Sequence, residues 1–175
     1  IYNDMFITYF AYKCKSKTLD YITEDQYIEG MTAFKCNTLN EVKNKIIDIR
    51  GQLLEIGKED FQNFYYFLFD LNVPGTEKDK KTKTLSYDIV EVYFNGLFCD
   101  QFPVVKEFLE FLKSKNVGMK WDEWRTFLDF VNTKATDFPK EYYVSEYYPI
   151  LIDEFYYWYC KKHNIEIPKD EDEYY

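Results

Sequence analysis

Residues 61–71 read FQNFYYFLFDL. Wound as an α-helix, this stretch turns apolar or aromatic side chains to nearly every side. A helix of that kind is stable only when other elements surround it, so the spacing predicts a buried central helix. The rest of the chain must supply a shell whose apolar faces turn inward. Its composition permits this: 46% of the 175 residues are hydrophobic and 21% are aromatic. That suffices for one compact domain, or two small lobes sharing a core, and excludes global disorder.

The shell reads as helical. Phe6, Phe10 and Cys14, with Ile7 and Ala11, recur at helical spacing over 5–16. Thr23-Glu24-Asp25-Gln26 is a capping-box pattern that opens a helix running to about Phe34. Thr38 caps the next, with Glu41 reaching back; Val42, Ile46, Ile49 and Leu53 form its apolar stripe, and Gly57 is its expected stop. Asn72-Val73-Pro74-Gly75 breaks the chain after the central helix. The charged run TEKDKKTKT, 76–84, reads as a loop. Helical patterns resume over 85–94, 103–114, 121–135 and 146–162, with Asn95-Gly96 separating the first two and Asn116-Val117-Gly118 preceding the third. Strand alternation is almost absent. The expected architecture is all-α, a compact bundle of about eight helices joined by short loops, with KDEDEYY as a frayed tail.

Twenty-two basic against 31 acidic residues leave a net charge of -9 and a pI near 4.7. Such a surface repels phosphate backbones, so nucleic acid is a poor partner and a basic protein surface a better one. No apolar run approaches the roughly 18 residues of a membrane span. The chain opens inside an apolar pattern, without an initiator Met or a signal-peptide pattern, and reads as a fragment with material missing upstream. Cys14, Cys36, Cys99 and Cys160 are far apart, form no C-x-x-C and sit among apolar residues; they read as buried free thiols in a reducing compartment. His163 is the single histidine, in a last helical turn where it favours the negative end of the macrodipole. A Cys160–His163 dyad has i,i+3 spacing but no orienting third group. No zinc cluster, calcium loop or glycine-rich phosphate loop is present, and the nearest calcium-loop candidate, TEKDKKTK, places lysines where oxygens are required.

Two acids stand out. In PILIDEFYYWYC, 149–160, the residues Leu151, Ile152, Phe155, Trp158 and Tyr159 share one side at about 100° per residue. Asp153 falls opposite, with Tyr156 and Tyr157 as neighbours and Ile150 nearby, like the anchor of an interface. In WDEWRTFLDFV, Trp121, Trp124, Phe127, Leu128 and Val131 form the inward stripe, and Asp122 points away in the first turn. There it stabilises the helix start and also faces a partner.

WDEWRTFLDF followed by YYPILIDEF resembles the C-terminal signature of the defective-in-cullin-neddylation family, its potentiating-neddylation domain. YITEDQYIEGMTAFKCNTLNEVKNKI, FQNFYYFLFDL and the Asn95-Gly96 turn with its aromatic helix fall in matching order. The match runs from about Ile7 to Trp158, so 1–165 is expected to be that domain, without its N-terminal helices, and 166–175 a disordered acidic tail. The resemblance implies a bundle with EF-hand-like helix pairs lacking calcium loops, in a cytoplasmic or nuclear protein. It further implies a monomeric, non-catalytic neddylation ligase component without cofactor. Such a component holds a cullin C-terminal winged-helix subdomain and the N-acetylated neddylation conjugating enzyme, beside a RING subunit. The cullin-facing residues would be Asp122, Tyr147 and Asp153; Tyr147 stands where the family has Ala, a larger group at the centre of the patch. The pocket for the acetylated Met would be lined by Ile7, Phe10, Ala11, Cys14, Ile22, Leu71, Ile89 and Val92. Against this stand a general acidic module for a basic helix or tail, a cysteine hydrolase built on Cys160 and His163, and a calcium sensor.

Overall fold

The computed structural model describes residues 2–53, 58–140, 142–144 and 147–167. Gly57 and the tail KDEDEYY lie outside the described residues. Among the described residues there are nine α-helices: α1 (Tyr2–Lys13), α2 (Glu24–Phe34), α3 (Leu39–Leu53), α4 (Glu59–Asn72), α5 (Glu77–Thr82), α6 (Tyr87–Leu97), α7 (Pro103–Lys115), α8 (Trp121–Thr133) and α9 (Ile150–Lys162). The only strands among them are β1 (Thr84–Leu85) and β2 (Met119–Lys120), paired antiparallel with Thr84 opposite Lys120 and Leu85 opposite Met119. The fold is all-α. The ladder joins two helix–strand–helix units, α5–β1–α6 and α7–β2–α8.

The capping signals act as written. Thr23 Oγ1 accepts the Gln26 N–H at 3.3 Å, and the Gln26 side chain accepts the Thr23 N–H at 3.0 Å. Thr38 Oγ1 accepts the Glu41 N–H at 3.3 Å, while Glu41 reaches one residue further back than expected, to the Asn37 N–H at 2.8 Å. Lys35 and Asn116 close α2 and α7 in the left-handed conformation, each returning its N–H to the last turn of its helix.

Three expectations are corrected. The run 76–84 is not wholly a loop, because Thr76 and Asp79 form a capping box that starts α5, and 84–85 form β1. Asn95-Gly96 does not separate two helices but lies inside α6, where Gly96 lets the backbone approach α1: a Cβ there would sit 3.1 Å from Met5 Cγ. The last helix begins at Ile150, not at 146, behind Pro149 as its N-cap.

α4 is the expected central element. Phe61, Phe64, Tyr65, Leu68 and Phe69 are buried, and α4 packs against α1 on one side and α8 on the other. Toward α1, Tyr9 meets Phe64 edge-on at 5.0 Å, and Asp60 accepts from Tyr9 (2.9 Å), Tyr12 (3.1 Å) and Lys13 (2.6 Å). Burial alone would raise the Asp60 pKa; the bonds from Lys13 and Tyr9 outweigh it and hold the carboxyl below its ordinary value.

α2 closes over α1 through Gly30, where any Cβ would collide with the buried Cys14 Sγ. Gly30→Ala is therefore expected to lose about 1–3 kcal/mol of unfolding free energy, the usual range for overpacking, read from urea midpoints. In a Cys14→Ala background most of that loss should vanish. An equal loss in both backgrounds would contradict the close approach.

Candidate partner-docking face

The region that carries both singled-out acids is built from α8, the described parts of the crossing segment (134–140, 142–144 and 147–149) and α9. α8 turns Trp124, Phe127, Leu128, Phe130 and Val131 inward. Its start is held by Glu123, whose carboxylate accepts the Lys120 N–H at 2.6 Å. Glu123 thus stabilises the helix start, the part expected of Asp122, and Asp122 is left exposed in the first turn. Among the described residues no basic side chain pairs with Asp122 or Asp153.

The crossing segment is pinned by aromatic rings. Phe138 stacks on Phe155 at 5.2 Å and meets Tyr159 edge-on at 4.9 Å and Phe130 at 5.4 Å. Tyr142, 3% exposed, lies 5.0 Å from the Tyr156 ring and 5.5 Å from Tyr148. Its hydroxyl donates to Asp153 Oδ1 at 2.5 Å.

Asp153 is therefore not on an open face opposite the apolar stripe. It is half-buried at a rim, and Tyr156, its expected outward neighbour, is in the core. A helical wheel records the angle of each residue but not a neighbouring segment, and Phe138 and Tyr142 of the crossing segment lie over this side of α9. The adjacent acid has another fate: Glu154 pairs with Lys115 of α7 at 3.0 Å. One turn to either side of Asp153 on α9, Ile150 and Tyr157 remain exposed, as do Tyr143, Val144 and Tyr147 of the crossing segment, Ile150 at 78% and Tyr147 at 68%. A carboxylate rimmed by apolar and aromatic side chains suits a cation carried on an apolar surface.

Burial pushes the Asp153 carboxyl above its ordinary value, and the bond from Tyr142 opposes that shift only in part. A raised folded pKa contributes stability below the ordinary value near 3.9 and loses it as pH rises through the folded one. At neutral pH the Asp153 charge is thus held against the fold's preference. Tyr142 is pushed upward by its own burial and by the bonded carboxylate, so it stays a donor.

The proposed pocket residues occupy three settings. Phe10, Ala11 and Cys14 are buried in the core, with Phe10 stacked on Phe34 at 6.2 Å. Ile22, Leu71 and Ile89 are half-buried, and Ile7 and Val92 are exposed. A concavity of about 590 Å³ between the ends of α1 and α4 takes only Leu71 of the set, beside Tyr12, Lys15, Ser16, Phe67, Val73 and Pro74.

Cys160 is fully buried, and burial raises its thiol above the ordinary value, with a bond to Tyr156 opposing. The His163 ring lies 4.3 Å from that of Tyr159, tilted by 33°, and its Nε2 lies 3.5 Å from Glu107. Neither placement activates a thiolate. All four cysteines are buried and unpaired. Among the described residues no group of three His, Cys, Asp or Glu side chains is placed to hold a metal ion, and no helix is long and apolar enough to cross a membrane.

The structure is thus a helical body with acids set beside aromatic rings. Residues 41–158 match the family described as Cullin binding, and the chain belongs to that family. It is 28% identical over 149 residues to DCN1-like protein 5 of Homo sapiens, covering 85% of this chain and 60% of that protein. It is 28% identical over 155 residues to DCN1-like protein 4 of Homo sapiens, covering 87% of this chain and 50% of that one. DCN1-like protein 4 of Drosophila melanogaster is 22% identical over 149 residues, covering 85% and 57%. The chain thus spans between half and two-thirds of the length of these relatives.

Removing the Tyr142 hydroxyl isolates its effect on Asp153. Tyr142→Phe is expected to raise the Asp153 pKa further, read by carboxyl-carbon NMR, and to lose about 0.5–1.5 kcal/mol of stability near neutral pH. That loss should fade as pH falls through the Asp153 pKa, where the acid is neutral. An unchanged Asp153 titration would contradict the bond.

Proposed function

We propose that the chain is a non-catalytic component of a neddylation ligase, in a reducing cytoplasmic or nuclear compartment. It docks a cullin C-terminal winged-helix subdomain on the face of Asp122, Tyr147 and Asp153. It also receives the acetylated N-terminus of the neddylation conjugating enzyme, beside a RING subunit. The observation that carries this reading is the family match over 41–158, a span that contains both acids without a basic partner among the described residues.

The physics asks for no chemistry from this chain. Exposed ion pairs contribute about 0.2–1 kcal/mol each, and partial burial of Asp153 beneath a docked partner strengthens its pair. The acidic surface speeds encounter with a basic partner. For the conjugating enzyme, burying a Met side chain stabilises binding by about 1.5–3 kcal/mol. A free terminal ammonium would be desolvated beside it, and acetylation removes that charge. Ile7, Val92, Ile22, Leu71 and Ile89 are the apolar residues of the expected lining that still reach solvent. Holding both partners raises the effective concentration of the charged thioester near the acceptor lysine.

One calorimetric series tests both contacts. The cullin subdomain is expected to bind the wild type, and Asp122→Lys and Asp153→Lys should each weaken it about tenfold, as reversing a partly buried pair implies. A peptide of the conjugating enzyme's N-terminus should bind more tightly when acetylated than when free. Equal cullin affinity across wild type and variants would remove the acidic face. Equal affinity of the two peptides would remove the pocket and leave the face standing.

A further inference from the structure

A further carboxylate of α8 is bonded to Tyr147, a residue of the proposed docking face. Asp129 stands two turns after Asp122 on the outward side of α8, away from the buried stripe. One of its oxygens, Oδ2, accepts from two consecutive tyrosines, Tyr147 and Tyr148, each at 3.3 Å. Tyr148 also lies 3.3 Å from Thr133 Oγ1, and Thr133 is tied back to the Asp129 carbonyl at 2.8 Å.

The two rings have different surroundings. Tyr148 is 9% exposed, edge-on to Phe130 at 6.3 Å and 5.5 Å from Tyr142, the donor to Asp153. Tyr147 stands in solvent, and its ring is perpendicular to that of Tyr148 at 5.0 Å and 89°. The charge of Asp129 is the largest influence on the Tyr147 phenol and raises its pKa, followed by the hydrogen bond, while Arg125 opposes them. An exposed tyrosine ordinarily samples several rotamers. This one is restrained at its hydroxyl by α8 and at its ring by a buried neighbour.

We propose that Asp129 is a positioning residue for the docking face: by accepting from both phenols it fixes the Tyr147 ring as a wall beside the acids, and so selects a partner that lays a Lys or Arg side chain over that ring. A fixed aromatic face attracts a cation more than a mobile one does, because less rotamer freedom is lost on binding. The inference rests on the cullin-docking reading and deepens it. It assigns a specificity role to a residue that touches the partner only through Tyr147.

The test measures binding of the cullin winged-helix subdomain to the wild type, Asp129→Ala, Asp129→Asn, Tyr147→Phe, the Asp129→Ala/Tyr147→Phe double variant and Asp153→Lys, with thermal melts on each. Asp129→Ala and Tyr147→Phe are expected to weaken binding about three- to tenfold each, the range of one hydrogen bond. The double variant should be no weaker than either single one. Asp129→Asn keeps an accepting carbonyl and should bind like the wild type. If Asp129→Asn is as weak as Asp129→Ala, Asp129 acts by charge alone and the positioning role is wrong. That role is equally wrong if the single losses add, or if Asp129→Ala binds normally while Asp153→Lys does not; in each case the docking reading survives. If the folded wild type does not bind the subdomain, both fall.

Discussion

The reciprocal lock between Tyr65 and Trp124 carries the structure. The Tyr65 hydroxyl donates to the Trp124 carbonyl at 2.9 Å, and the Trp124 indole N–H donates to the Tyr65 carbonyl at 3.1 Å. Their rings stack at 4.3 Å and 6°, and neither has any exposed surface. Each residue thus satisfies its own polar atom on the other's backbone, in a place without water to substitute. Two helices far apart in sequence, α4 and α8, are fixed in depth and rotation by one pair of side chains.

The proposed docking face inherits that order. From Trp124 the rings continue to Phe94 (5.3 Å), then to Phe127 (4.5 Å), Phe108 (4.5 Å), Phe155 (5.1 Å) and Phe138 (5.2 Å). This run crosses from α8 through α6 and α7 to α9 and the segment above it. Aromatic pairs prefer offset or edge-on geometries, so a continuous run resists sliding in a way that aliphatic packing does not. Asp122 projects from one end of this frame, and Asp153 is held by Tyr142 at the other. On the proposed reading, binding rests on a few modest electrostatic contacts, because little conformational freedom remains to be lost.

Much of this was legible in the residues. FQNFYYFLFDL is apolar or aromatic on most sides, and α4 is the central helix, with only Gln62 and Asn63 of this stretch exposed. T-E-D-Q and T-L-N-E both announced helix starts. The two acids were singled out by the company they keep. What the sequence concealed depended on contacts between distant segments. The charged run at 76–84 has too little apolar surface to signal a helix, although Thr76 and Asp79 are spaced as a cap. Asn95-Gly96 has the composition of a turn, yet Gly96 serves the approach of α6 to Met5. The half-burial of Asp153 comes from Tyr142, eleven residues away on a crossing segment without periodicity. Asp129 gave no signal, since an acid on the wet side of a helix is commonplace.

The dependence of α8 on the Tyr65 lock can be measured directly by amide hydrogen exchange in Tyr65→Phe, which keeps the ring and removes one of the two bonds. The Trp124 carbonyl would then keep only its helical donor from the next turn, a cost of about 0.5–1.5 kcal/mol for the lost bond. Protection of the α8 amides should fall while that of α1 and α2 remains as in the wild type. Unchanged protection along α8 would show that the helix is held by other means, and the aromatic frame would lose its place as the origin of the docking face.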